Sequence, residues 1–288
     1  MTGQPFFLMT DASAFDVRYK INPWMDPKGW TPADAAAARH ASKTLRSALE
    51  SAGARVEVLG AVIGLPDLVF PANAAVVLDG VVLLARFRHA ERQGEEAVFR
   101  AAFQSSKTRG LVRELVALAD GLFHEGARAA IAAADRGHSW CGYGPRSSQG
   151  AIRVVRNTFN RPIVALELVS DRFYHLDTCF CPLAGGKLLY YPAAFTAAAQ
   201  ATIRDLVPEA LRFDATAEEA AAFCVNAVNL GRQVIMARAP NSLRVKLEAH
   251  GYSLTEVDLD PFILSGGASY CMTLRLDRVS VPILQAAE

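Results

Sequence analysis

The chain of 288 residues lacks several features that mark large classes of protein. It has no uninterrupted run of about 18 apolar residues, so we expect no membrane-spanning helix. It has no basic cluster, and its formal net charge is +1. This argues against nucleic acid or an anionic membrane as the main partner. The start, Met1–Met9, lacks the charged-then-apolar layout of a signal peptide, so we predict a soluble, cytoplasmic protein.

Cysteine is scarce and scattered. The five cysteines are Cys141, Cys179, Cys181, Cys224 and Cys271. An odd set without a Cys-x-x-Cys pair indicates reduced thiols rather than a disulfide framework. We interpret Cys179 and Cys181 as core residues on one strand face rather than metal ligands. The segment 124–126 is not a zinc motif, because Arg128 stands where HExxH needs its second histidine, and we predict no metal.

Apolar residues are abundant, at 51% of the chain against 20% charged, so a large core can form and disorder is not expected. No linker, low-complexity segment or change in composition divides the sequence. We therefore expect one domain over residues 1–288.

Four hairpin signals recur, each an apolar run, a tight turn and a second apolar run. The clearest has Asp79-Gly80 between residues 73–78 and 81–87, because Asp-Gly between β-branched runs favours a hairpin. The others turn at Gly185-Gly186, at Leu230-Gly231 (after a strand over 223–228) and, more weakly, at Asp135-Arg136-Gly137. Turn centres roughly 45–55 residues apart indicate repeated units.

Helical segments separate the hairpins. Thr31 and Pro32 provide an N-cap and a first-turn proline, and Gly53 ends the helix. Apolar spacing predicts further helices over 93–103, 107–119, 193–206 and 241–250. Strands over 6–9 and 270–276 are expected to form a fifth unit, which would close a ring without an exposed sheet edge.

Two segments carry the strongest chemical signals. Cys271 follows Gly266-Gly267, where the backbone can fold tightly around a small ligand. Its thiol is a candidate nucleophile if a histidine and carboxylates reach it. In a strand, His175 and Asp177 would share a face, and together they can shuttle protons and hold a cation. Taken alone, a polar strand edge at the surface is the simpler interpretation of that pair.

Three other segments allow two interpretations each. Asn22-Pro23-Trp24-Met25 suits a lid over a pocket, or equally a buried loop anchor. Asn73 begins the clearest hairpin, where a strand end can direct an amide into a central cavity. The segment 86–95 is best interpreted as a solvated charged loop, although an arginine there can clamp a carboxylate.

Six segments together resemble the guanidine-modifying, or pentein, superfamily. They are FDVRYKINPWM (15–25), LPDLVFPANAAVVLDG (65–80), RFRHAERQGEE (86–96), SDRFYHLDTCF (170–180), FCVNAVNLGRQVI (223–235) and GGASYCMTL (266–274). They are similar to the branch of dimethylarginine dimethylaminohydrolases, arginine dihydrolases and amidinotransferase-like proteins, in the same order. The resemblance implies an α/β fold, a pseudo-fivefold α/β propeller of ββαβ units around a central polar channel, as a single catalytic domain.

The resemblance also implies roles for seven residues. The catalytic residues are Cys271 as nucleophile, His175 as general acid/base and Glu125 as the guanidinium-site carboxylate. The substrate-binding residues are Asp177 as second carboxylate, Asn73, and, for the amino-acid end of the substrate, Asn22 and Arg92.

The implied activity is hydrolysis of a guanidino C–N bond of arginine or a substituted arginine through a thiouronium intermediate. The implied partner is this small-molecule guanidino substrate, without metal or cofactor. Transfer of the amidino group to an amine stays open, as do an inactive pentein with a binding role and homo-oligomer formation.

This chain departs from the family pattern in one motif. The family commonly has Glu-Gly-x-Gly-Asp where this chain has Glu125, Gly126, Ala127, Arg128 and Ala129. We expect Arg128 to neutralise Glu125 or to bind an acidic substrate group. Tyr270 beside the nucleophile also changes the pocket wall. The guanidinium cation of the substrate would lie beside Cys271. Together with His175, this cation is expected to favour the thiolate form of Cys271 over the thiol.

Overall fold

Five small sheets repeat along the chain in the computed structural model, which describes residues 3–132 and 137–280. Each sheet has three strands: an antiparallel pair and a third strand parallel to the middle one. A helix precedes the parallel strand in every sheet. The predicted ββαβ repeat and its pseudo-fivefold α/β propeller are confirmed.

The strands follow the repeat in chain order. They are β1 Phe6–Thr10, β2 Arg55–Leu59, β3 Ala75–Leu78, β4 Val81–Leu84, β5 Glu114–Val116, β6 Ala130–Ala132, β7 Ser139–Tyr143, β8 Ile163–Glu167, β9 Phe180–Leu183, β10 Lys187–Tyr190, β11 Arg212–Asp214, β12 Val228–Leu230, β13 Gln233–Ala237, β14 Ser253–Val257 and β15 Leu274–Arg275. The α-helices are α1 Pro32–Ser51, α2 Ala90–Thr108, α3 Ala151–Phe159, α4 Ala197–Leu206, α5 Ala217–Ala221, α6 Asn241–Ala249 and α7 Asp260–Ile263.

The first sheet joins distant parts of the chain. β1 pairs antiparallel with β15, with Phe7 opposite Arg275, and parallel with β2. The predicted pairing of the first and last strands is therefore confirmed. Cys271 lies in the segment just before β15. The pairing of β15 with β1 therefore places Cys271 against the other units.

The hairpin predictions have mixed outcomes. The turns at Asp79-Gly80 and Gly185-Gly186 are confirmed, and positive φ angles of 52° and 73° at the first pair match a tight hairpin turn. In the third hairpin the strand begins at Val228 rather than Phe223, whose own φ is 56°. Asp135 and Arg136 lie outside the described residues, although β6 and β7 on either side pair antiparallel.

Most helix predictions are confirmed. Thr31 forms a capping box with Asp34 at the start of α1, and the predicted segments 93–103, 193–206 and 241–250 contain or overlap α2, α4 and α6. The predicted helix over 107–119 is wrong. α2 ends at Thr108, Gly110 takes a φ of 72°, and residues 114–116 form β5 beside β4. None of the helices in the described ranges has both the length and the apolar character needed to cross a bilayer.

Three short 3-10 turns lie at equivalent places in consecutive units, each just before the first strand of its sheet. They are Pro71–Asn73, Gly126–Arg128 and Leu176–Thr178. All three are largely buried, and the middle turn contacts both of the others. The repeat therefore brings polar side chains from three units to the same central position.

We expect Gly126→Ala to destabilise the protein by about 2–4 kcal/mol. Gly126 has a φ of +63°, and a Cβ atom there would lie 2.5 Å from the carbonyl oxygen of Ala72. Urea unfolding measures the loss. Gly121→Ala is the matched control, because Gly121 also has a positive φ but no atom within 4 Å of the added Cβ. An equal loss in both variants would show that the close contact is unimportant.

Candidate active site

Cys271 is fully buried at the centre of the ring and is held by Asp177. Its sulfur lies 3.1 Å from Oδ2 of Asp177, which accepts a hydrogen bond from the thiol. Asn226 joins the two residues, because its amide group donates to Oδ2 of Asp177 at 2.9 Å. Its oxygen accepts from the backbone N–H groups of Tyr270 and Cys271 at 3.1 and 3.3 Å. Asn226 thus fixes the backbone of Cys271 to the carboxylate that holds its sulfur.

We expect Asn226→Ala to lower the free energy of unfolding by about 2–5 kcal/mol, since it leaves buried polar groups without partners. If Cys271 is the nucleophile that the family resemblance implies, its misplacement should also lower the rate of that reaction about 10²-fold. Urea unfolding and steady-state kinetics measure the two effects. The control is Asn229→Ala, which removes another hydrogen-bonded asparagine, outside the centre, and should cost stability but not rate. Equal rate losses in both variants would contradict a positioning role for Asn226.

His175 lies beside Glu125 rather than on a strand. The prediction that His175 and Asp177 share a strand face is wrong, because His175 caps the 3-10 turn that contains Asp177. Nε2 of His175 lies 3.0 Å from Oε2 of Glu125. A carboxylate only accepts hydrogen bonds, so this contact keeps a proton on Nε2. Nδ1 of His175 is buried and has no hydrogen-bond partner among the described residues.

Arg128 binds Asp177 rather than Glu125. Its Nε lies 3.2 Å from both carboxylate oxygens of Asp177, and its other nitrogens donate to Oδ1 of Asn73 and the carbonyl of Gly266, both at 3.1 Å. The expectation that Arg128 neutralises Glu125 is therefore wrong. The arginine beside Glu125 is Arg146, with a nitrogen–oxygen distance of 3.3 Å.

The charged groups at the centre form one buried cluster. Its members are Asp67, Arg92, Glu95, Glu125, Arg128, Arg146 and Asp177. Four carboxylates therefore face three guanidinium groups. Burial and the nearby Arg128 hold the pKa of His175 well below its usual range, so the imidazole is neutral. With all seven groups ionised the cluster carries one surplus negative charge, which an added monocation would balance. Burial raises the pKa of Glu95 to about 7, so an added cation also favours ionisation of that carboxyl.

Burial and the cluster's charges shift the pKa values of the key groups in different directions. Burial raises the pKa of Cys271, and the neighbouring Asp177 carboxylate adds to this, while Arg128 opposes it. Cys271 is therefore a thiol in the free protein, and its activation by a substrate's guanidinium stays a prediction. Burial also raises the pKa of Asp177, despite Arg128. For Glu125 burial is outweighed by Arg146 and the hydrogen bond with His175, so the pKa lies below its usual range.

Asn73 lies where the sequence suggested, with its amide in the central cluster. Its nitrogen is 3.5 Å from both Glu125 and His175, and its oxygen accepts from Arg92 at 2.9 Å. Arg92 is buried behind Asn73, in contrast to the solvated loop expected for 86–95, and binds Glu95 through two contacts of 2.7 Å. Its binding of the substrate's amino-acid end stays a prediction.

An open cleft of about 740 Å³ leads from the surface to the cluster. Asn22 and Pro23 line it, which places the N-terminal loop at the cleft wall. Asn22 is also anchored, since its amide donates to the carbonyl of Ser265 at 3.1 Å and accepts from the N–H of Trp24. The buried-anchor interpretation therefore holds for Asn22, and a role of this loop as a lid over the cleft stays a prediction. The other residues lining the cleft are Lys20, Ile21, Arg88, His89, Pro145, Arg146, Asp171 and Tyr174.

Sequence reasoning missed Arg146, Tyr174 and Asn226. Arg146 lies 4.6 Å from the centre of the Tyr174 ring, whose hydroxyl donates to the carbonyl of Gly266. Asn226 and Tyr174 lie within segments that carried the family resemblance, which was the available signal. Arg146 lies outside all six segments. All five cysteines are free and buried, and no group of three or more potential metal ligands occurs in residues 3–132 and 137–280.

Comparison with known proteins identifies the family. The model of the eukaryotic N,N dimethylarginine dimethylhydrolase family matches residues 31–278. The chain belongs to this family. It is 33% identical, over 94% of its length and 85% of the relative, to the N(G),N(G)-dimethylarginine dimethylaminohydrolase of Mycobacterium tuberculosis. This dimethylarginine dimethylhydrolase family lies within the branch that the sequence segments resemble.

Arginine dihydrolases of cyanobacteria are also similar to this family member. It is 37% identical over 97% of its length to the bifunctional arginine dihydrolase/ornithine cyclodeaminase ArgZ of Synechocystis sp., and covers 39% of that protein. The chain thus spans about two fifths of this relative. The crystal structure of the N-terminal domain of ArgZ bound to product superposes with a TM-score of 0.92, 37% identity and coverage of 97% and 100% of the two chains.

Proposed function

We propose that the protein is a cysteine hydrolase that cleaves a guanidino C–N bond of arginine or a substituted arginine. The observation that carries the proposal is the surplus negative charge of the buried cluster beside the thiol of Cys271. A guanidinium is a monocation that carboxylates bind through parallel hydrogen bonds. The cluster residues come from three of the five units, and Asn226 and Cys271 come from the other two. This supports residues 1–288 acting as one catalytic domain.

Substrate binding supplies the cation that the free site lacks. With a guanidinium between Glu125 and Asp177, the positive charge lowers the pKa of Cys271 and favours its thiolate. The thiol proton passes to a neighbouring base, for which the unpartnered Nδ1 of His175 is positioned by Glu125. Activation is thus restricted to a site that holds its substrate.

Attack by the sulfur forms a C–S bond at the guanidino carbon and gives a tetrahedral adduct. The C–N bond to the leaving group then breaks, and His175 returns the proton to the departing amine or ammonia. Water, deprotonated by His175, attacks the resulting S-alkylthiouronium. Collapse of that adduct restores the thiol and releases the urea-containing product. If a second hydrolysis follows, citrulline and one water give ornithine, ammonia and carbon dioxide.

The cleft is suited to the amino-acid end of the substrate. Lys20, Arg88 and Arg146 line it together with Asn22, and they can bind a carboxylate. Asp171 is the acidic residue along the same wall and can accept the α-ammonium group. This places the α-carbon towards solvent and the guanidinium towards Cys271.

The test incubates the protein with arginine, methylated arginines and related guanidines, and measures ammonia, alkylamine, citrulline and ornithine. Mass spectrometry of the trapped Cys271 adduct identifies the transferred group. We expect product with at least one compound, and none with Cys271→Ser. A wild type as silent as Cys271→Ser over the whole panel would refute the proposal.

Two further arms distinguish the alternatives. A new guanidino product on addition of glycine or lysine would assign amidino transfer instead of hydrolysis. A haloacetamidine carries the cation that the site binds, so it should label Cys271 much faster than it labels a free thiol at neutral pH. Labelling no faster than a free thiol would favour a protein that binds without catalysis.

A further inference from the structure

A second cavity, of about 200 Å³, lies behind the active site. It shares none of its lining residues with the open cleft, so it reaches the centre from another side. Asp177, the carboxylate that holds Cys271, forms part of its wall. Tyr270, Arg275 and Arg278 line both this cavity and a smaller neighbouring one of about 30 Å³.

The two arginines of this cavity differ in their partners. Arg275 binds Asp277 through two contacts of 3.0 Å. The guanidinium of Arg278 has no ion pair or hydrogen bond with any residue in 3–132 or 137–280. Asp177 also lines the cavity, but both oxygens of its carboxylate accept hydrogen bonds from Arg128 rather than from Arg278. Among the described residues, Arg278 therefore lines the cavity with a guanidinium that no carboxylate contacts directly.

The thiol of Cys181 and the phenol of Tyr270, which also line the cavity, are neutral at neutral pH. Burial raises the pKa of Cys181 to about 12, and burial with the nearby Asp177 raises the pKa of Tyr270 to about 12 as well. Neither group repels an anion at neutral pH. Arg278 is partly exposed, and partial burial lowers the pKa of its guanidinium. A bound anion would replace the solvation that this burial removes.

We propose that this cavity binds a small oxyanion, with Arg278 as the principal ligand and Arg275 as a second positive charge. The planar guanidinium presents parallel N–H donors that match the oxygens of phosphate or of a carboxylate. The volume accommodates either group. The site is separate from the cleft that receives the guanidino substrate, so it is a second, anionic ligand site on the same ring.

The test titrates the protein with inorganic phosphate and, separately, with malonate, using isothermal titration calorimetry. We expect saturable binding of at least one anion at one site per chain. Arg278→Gln should weaken it about tenfold or more, because a charge-assisted hydrogen bond is lost. Arg278→Lys should lose less affinity for the anion, because lysine keeps the positive charge but lacks the parallel N–H donors of the guanidinium. Arg88→Gln, the matched change in the open cleft, should leave the affinity unchanged.

Preferential binding of phosphate or of malonate identifies the oxyanion and supports the site in either case. Absence of saturable binding to the wild type would overturn the proposal. Equal affinity in the wild type and Arg278→Gln, with loss in Arg88→Gln, would place the anion in the cleft and overturn it too. Thermal melting checks that each variant is folded. Because the readout is binding, its failure leaves the proposed hydrolase activity untouched.

Discussion

Cys271→Ser is expected to lower kcat/KM for the guanidino substrate by at least about 10⁴-fold, because no covalent intermediate can form. A serine hydroxyl ionises far less readily than a thiol, so the bound guanidinium is insufficient to activate it. Serine retains the size of the side chain and the hydrogen bond to Asp177. Substrate affinity, measured by calorimetry with the inactive variant, should therefore remain close to the wild-type KM.

Cys141→Ala is the matched control for this prediction. Cys141 is as fully buried as Cys271 but lies in β7, away from Asp177. It should keep the wild-type rate while losing some stability through the cavity it leaves. If Cys271→Ser retained more than about a tenth of the wild-type rate, covalent catalysis by this residue would be excluded.

His175→Asn is expected to lower kcat about 10²–10⁴-fold for arginine, whose amine leaving group needs a proton. The loss should be smaller for formation of the Cys271 adduct from an S-alkyl-thiocitrulline, because a thiolate leaves without prior protonation. Hydrolysis of that adduct still needs a base to deprotonate water. The adduct should therefore accumulate in the variant, and stopped samples analysed by mass spectrometry show it.

The control for the histidine is His40→Asn, an exposed position on α1 that should leave both steps unchanged. Equal losses in His175→Asn for both substrates would indicate a structural effect rather than acid/base catalysis. Loss of adduct formation alone would show that another group activates the water.

Much of the ring was predictable because its signals are local. The Asp79-Gly80 turn, the Thr31 cap and the β-branched runs each depend on neighbouring residues. The helix predicted over 107–119 failed because the apolar Leu115 and Val116 fit a helical spacing but pair with β4 instead. That pairing involves a strand about thirty residues away, and local spacing does not encode it.

The residues that form the site were more predictable than the ion pairs and hydrogen bonds that join them. His175, Glu125 and Asn73 meet at the centre, and Cys271 is linked to Asn73 through Asp177 and Arg128. The ion pairs of Arg128 with Asp177 and of Arg146 with Glu125 were not predictable. Only the fold decides which carboxylate each arginine reaches. The raised pKa of Cys271 likewise depends on complete burial, which no local pattern reports.

The pairing of β1 with β15 has a consequence for biosynthesis. Phe7 leaves the ribosome long before its antiparallel neighbour Arg275, which lies more than 260 residues later in the chain. Until then one side of β1 offers unpaired backbone groups to any passing strand, including that of another nascent copy. Cys271 emerges four residues before Arg275, so the thiol enters its enclosed setting only as this last seam closes. Chains that end before β15 should therefore be both prone to aggregation and catalytically inactive.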